Sequence, residues 1–128
     1  MAEEKYTIAQ IPQRPIFLIT WGASRHFTPN DDDFIDDVNN ALNTFGNPVS
    51  LIIDASQFVF TVGRAMENII QASSRPDAIP QNPYVERIVL VSNNRFVHLM
   101  VSRLTKKYDQ VDFDLTRTLD EAYALLEI

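Results

Sequence analysis

The sequence predicts an α/β fold. It reads as one domain over residues 1–128, in which an initial antiparallel hairpin leads into parallel strands and about four helices pack mainly on one face of a mixed sheet. Three observations carry that expectation. Val49, Leu51, Ile52 and Ile53 form a short apolar, mostly β-branched run that stops at Asp54, the pattern of a strand buried on both faces. Runs of this kind alternate with segments whose apolar residues recur every three or four positions, and strands separated by single helices lie parallel with right-handed crossovers. Finally, Tyr6 to Trp21 holds two β-prone runs joined across Pro12-Gln13-Arg14-Pro15, which reads as a hairpin.

Along the chain, Tyr6, Ile8 and Ile11 alternate loosely in the first strand. Ile16 to Trp21 forms the second, with Gly22 marking a bulge or bend. Thr28-Pro29 reads as a helix start: threonine caps, proline fits the first helical position, and Asp31, Asp32 and Asp33 meet the positive end of the helix dipole. Phe34, Ile35, Val38, Ala41, Leu42 and Phe45 keep helical spacing up to Gly46, and Pro48 bars continuation. After the third strand and a turn at Ala55-Ser56-Gln57, the residues Val62, Ala65, Met66, Ile69 and Ile70 mark the apolar side of a second helix. Ser73 to Pro83 contains three prolines and reads as a loop long enough to matter or to be mobile.

Val85 to Ser92 is the next buried strand. Asn93 and Asn94 offer caps for a helix bearing Phe96, Val97, Met100, Val101 and Leu104, which ends near Lys106-Lys107. Val111 to Leu115 alternates apolar and acidic residues as an edge strand does. Thr118 to Glu121 is a capping box ahead of a last helix with Ala122, Tyr123 and Leu126 inward.

Composition narrows the function classes. A hydrophobic share of 45% and a charged share of 22% are globular values, and 128 residues suffice for one real core. No apolar run approaches the length of a membrane span, so membrane insertion is not expected. The segment MAEEKYTIAQ is polar and acidic, unlike a signal peptide, and the absence of cysteine fits a cytoplasmic protein without disulfides or thiolate metal sites. A net charge of −6 argues against nucleic-acid binding, which needs a basic face.

The element order, the LIIDASQF strand-turn, the segment RIVLVSNNRF and the closing TRTLDEAYALL together resemble a STAS-type domain, and more narrowly the small bacterial anti-sigma factor antagonists. The resemblance covers nearly the whole chain from Tyr6. It implies a non-enzymatic regulatory module whose partner is another protein, often a kinase-like anti-sigma factor, and which is commonly switched by phosphorylation. The switch does not carry over: aligning Asp54 and Phe60 places Val62 and Gly63 where such proteins carry Asp-Ser, and Thr61 belongs two positions earlier. No phosphorylation is therefore expected at the start of the second helix.

Residue by residue, no catalytic constellation, metal site or cofactor is expected. His26 and His98 lack an accompanying nucleophile motif. Asp54 suits a turn, and the three aspartates at 31–33 suit a helix start better than a calcium loop, which alternates its ligands around a glycine. Three glycines build no phosphate-cradling loop. The candidate partner-binding residues are Ser56, Gln57, Phe58, Thr61, Gly63 and Arg64, at the C-terminal edge of a buried strand where open α/β sheets bind their ligands. Phe58 reads equally as an interface anchor or as core. Arg64 reads as an anion ligand beside the helix start or as an ordinary solvent-facing arginine. A homodimer through the edge strand and aromatics of the Tyr6 to Trp21 hairpin is a further expectation. The alternative function is carriage of a small apolar, lipid-like ligand among the eight phenylalanines, and a cavity of several hundred cubic ångströms would separate the two classes.

Overall fold

Alternation of apolar runs with amphipathic segments produces a five-stranded sheet whose spatial order equals its chain order. In the computed structural model, which describes residues 5–23, 27–58 and 64–128 apart from the side chains at 64–66, 68 and 69, the strands are β1 (Tyr6–Gln10), β2 (Ile16–Trp21), β3 (Val49–Asp54), β4 (Val85–Val91) and β5 (Asp112–Thr116). β1 pairs antiparallel with β2, Tyr6 opposite Trp21, and every later pair is parallel. The helices are α1 (Asp32–Phe45), α2 (Arg64–Ser74), α3 (Arg95–Lys107) and α4 (Leu119–Leu125), with a single 3₁₀ turn at Ile79–Gln81.

Each parallel connection steps one strand further in the same direction, so crossovers of one hand place their helices on one face. The core shows this arrangement. Phe34, Ile35, Val38 and Leu42 of α1, Val97 and Met100 of α3 and the partly buried Ala72 of α2 pack with Phe17, Ile19, Leu51, Ile53, Ile88 and Leu90. The alternate strand residues Ile16, Ile52, Val89 and Val91 face the other way, where Ala122 of α4 meets them. Three helices on one side and one on the other agree with the expected arrangement.

Local signals explain most boundaries. Gly46 closes α1 at φ 70° with its N–H on the Leu42 carbonyl, 3.0 Å away. A Cβ there would meet Asn43 O at 3.7 Å and Thr44 O at 4.0 Å, both ordinary contacts, so substitution costs conformation rather than contact. Gly46→Ala should destabilise by about 1 kcal/mol, read from chemical denaturation, with Gly46→Asn closer to neutral. Asn94 caps α3 by accepting from the Phe96 N–H at 2.8 Å, and Thr118 caps α4 by accepting from the Glu121 N–H at 3.1 Å.

Two details differ from the sequence reading. α1 begins at Asp32, not at Pro29, because Thr28-Pro29-Asn30-Asp31 closes a turn of its own with Asp31 N–H donating to Thr28 O at 3.0 Å. Proline at the second position of such a turn is favourable, and the Asp31 carboxylate bonds back to the Thr28 N–H and hydroxyl at 3.2 and 3.0 Å. In α2, Ile70 is 43% exposed and lies on the flank of the helix rather than inside.

The segment after α2, expected as a loop, is tied to α1. Arg75 reaches Asp32 at 2.7 Å, Asp77 at 2.8 Å and the Asn30 carbonyl at 3.0 Å. Asn82 is 8% exposed; its amide donates to Asn39 and Asn43 side chains at 3.0 and 3.2 Å, and its oxygen accepts from the Tyr84 N–H at 3.0 Å. Asn82→Ala should therefore cost about 1–3 kcal/mol in urea unfolding, the usual penalty for stranding buried hydrogen-bonding groups.

Candidate functional site

The C-terminal edge of the parallel strands gathers the turns that follow β2, β3 and β4. Asp54 ends β3 in register with Thr20 and Val91. Its carboxylate accepts from the Ser56 N–H at 3.0 Å, and the buried Ala55 donates its N–H to Val91 O at 3.0 Å. The Phe58 N–H closes the turn on Ala55 O at 3.2 Å. These bonds fix the tip, on which Ser56 and Gln57 are exposed. The neighbouring turn is fixed in the same way: Ser92 N–H donates to Thr116 O at 2.9 Å, and the Ser92 hydroxyl oxygen accepts from the Asn94 N–H at 3.1 Å, leaving Asn93 exposed.

Phe58 turns inward. Its ring sits 5.4 Å from that of Trp21 and 5.9 Å from that of Phe27, both edge-on, and it remains half-buried. Phe27 and Phe34 continue the cluster at 5.3 Å, and Tyr6 meets Phe34 at 5.0 Å. Much of the aromatic content is thus spent on packing at this end of the sheet. Of the other expected site residues, Arg64 is the first residue of α2, and Thr61 and Gly63 lie outside the described residues. The site as described therefore brings together Ser56, Gln57 and Asn93 around Asp54. His98 lies exposed on α3, and His26 is outside the described residues.

The Tyr6 hydroxyl is pushed up to about 12 by burial and by its hydrogen bond to Asp37. Arg75 holds the Asp77 carboxyl below the usual carboxylate range. Burial raises Tyr108, whose hydroxyl donates to Ser73 O. Among the described residues no group of three or more His, Asp or Glu could hold a metal ion; of the aspartates at 31–33, Asp31 is bonded to Thr28 and Asp32 to Arg75.

Between α2 and the sheet lies an apolar cavity of about 70 Å³, walled by Trp21, Phe34, Ile53, Leu90, Met100 and Phe113 among others. Trp21 is 5% exposed, and its indole N–H has no hydrogen-bond partner among the described residues. The cavity is much smaller than the ~300–1,000 Å³ of sites for drug-sized ligands. Periodicity identified its walls as core, yet the unfilled space and the orphaned indole depend on how distant side chains meet.

Comparison with family models, curated proteins and solved structures gives no match for this chain. Among the described residues no helix is long and apolar enough to cross a membrane.

Proposed function

We propose that the chain is a non-enzymatic regulatory module that docks another protein through the turn between β3 and α2, without a phosphoserine switch. One observation carries this reading: a turn held by the Asp54 carboxylate, the Ala55 N–H and the inward Phe58 presents Ser56 and Gln57 to solvent. A tip already ordered loses little conformational entropy on binding. The expected partner is of the anti-sigma factor kind, as the sequence resemblance implies.

The test is affinity capture from the native cell with the unmodified chain and with Ser56→Trp and Gln57→Arg. Both substitutions are at exposed positions and should leave thermal unfolding unchanged. A partner retained by the unmodified chain and lost by both variants supports the reading. Equal retention by both variants removes the turn as the docking site.

A second reading, binding of a small apolar molecule, rests on the cavity beside Trp21, which is too small for a lipid-like ligand. Its volume suits a molecule of few heavy atoms. Native mass spectrometry of freshly purified protein tests it: a co-purifying small mass supports carriage, and a bare chain counts against it.

A further inference from the structure

The outer side of α3 carries charge that no ion pair among the described residues uses. Arg95, Arg103, Lys106 and Lys107 are all exposed on it, and the helix contains no Asp or Glu. These are four of the 11 Lys and Arg in a chain of net charge −6, so the remainder of the chain carries −6 − 4 = −10. The ion pairs among the described residues use Arg75 and Arg87 alone. Lys106 and Lys107 suit the negative end of the helix dipole, but Arg95 stands at the first helical position, where the dipole opposes a cation. Helix stability therefore does not account for the whole set.

Apolar surface accompanies the charge. Leu99 is 58% exposed on α3, and Ile70 is 43% exposed on α2. Between the two helices runs a groove of about 190 Å³ lined by Ile70, Ser73, Met100, Arg103, Leu104 and Lys107. Lys107 closes one end by donating to the Ser74 hydroxyl at 3.2 Å. The groove lies at the end of α2 opposite the Ser56-Gln57 turn.

We propose that this groove docks an acidic amphipathic helix of another protein, its apolar stripe on Ile70, Met100 and Leu104 and its carboxylates on Arg103 and Lys107. Helix-in-groove recognition needs an apolar floor with charge at the rim, and both are present. A compact acidic helix meets only the basic strip, whereas an extended polyanion or an anionic membrane would also meet the −10 borne by the rest of the chain. The proposal rests on reading the chain as a docking module, and adds a second surface to it.

The probe is a labelled synthetic helix with leucine at every third and fourth position and glutamate elsewhere, followed by fluorescence anisotropy. It should bind the unmodified chain and weaken as salt rises. Arg103→Glu with Lys107→Glu should weaken it about tenfold or more through like-charge contact, and Ile70→Ser severalfold. Gln57→Arg should leave it unchanged. A scrambled peptide of identical composition should bind clearly less well.

Absence of binding overturns the proposal, as does equal binding by the scrambled peptide or by the double variant. Preference of the same face for a DNA oligonucleotide or for phosphatidylserine vesicles over the helix also overturns it. So does self-association of the chain, seen by sedimentation, that the double variant abolishes, since the acidic α1 of a second copy would then be the occupant. If the helix fails while the cellular partner still depends on Ser56 and Gln57, the groove falls and the docking turn stands; the converse result separates them the other way.

Discussion

Phe34→Ala will lower the unfolding free energy by about 3–5 kcal/mol, the range for truncating a fully buried phenylalanine. Phe34 is 1% exposed and meets the rings of Tyr6, Phe27 and Trp21 at 5.0, 5.3 and 6.3 Å, mostly edge-on. It joins α1 to both strands of the hairpin, and it also lines the apolar cavity. The added void would abut existing space, so relaxation into it leaves more surface without partners. Urea unfolding followed by the fluorescence of Trp21, the sole tryptophan, measures the effect directly. A loss below about 1 kcal/mol would show that the cluster repacks and that the edge-on geometry contributes little.

Phe58→Ala should cost about 2–3 kcal/mol, less than Phe34 because the ring is only half-buried. It should also loosen the turn carrying Ser56 and Gln57, since Phe58 ties that turn to Trp21 and Phe27. Partner capture by this variant should fall in proportion to unfolding, and recover on cooling. If the variant keeps full stability yet loses the partner, Phe58 is an anchor at an interface and its packing role is minor.

The sheet was legible because its signals are local. The run Val49 to Ile53 is apolar at almost every position, so only a strand covered on both faces fits it, and Leu51 and Ile52 are each 0% exposed. The helix ends at Gly46, Asn94 and Thr118 were legible for the same reason, each cap acting within four residues. What escaped was non-local. Arg75 and Asp32 are 43 positions apart, as are Asn82 and Asn39, so a segment rich in proline and asparagine gives no sign that it is fastened. Thr28-Pro29 suits a turn and a helix start equally, and the Asp31 carboxylate decides for the turn. Phe58 stayed ambiguous until Trp21 and Phe27 were placed beside it. The groove on α3 had one readable sign, a helix of four cations without an acid, but its meaning required Ile70 to fall on the flank of α2.

Strand order identical to chain order has a kinetic consequence. Each strand pairs only with its chain neighbours, so the sheet can be built from the hairpin outward one connection at a time. The stripe of Ile52, Val89 and Val91 is then built early and left open until α4, the last helix, folds back over it. Pulse-labelled hydrogen exchange should find β3 and β4 protected before α4. During that interval the molecule presents a bare hydrophobic strip, and association between partly folded copies is most probable there.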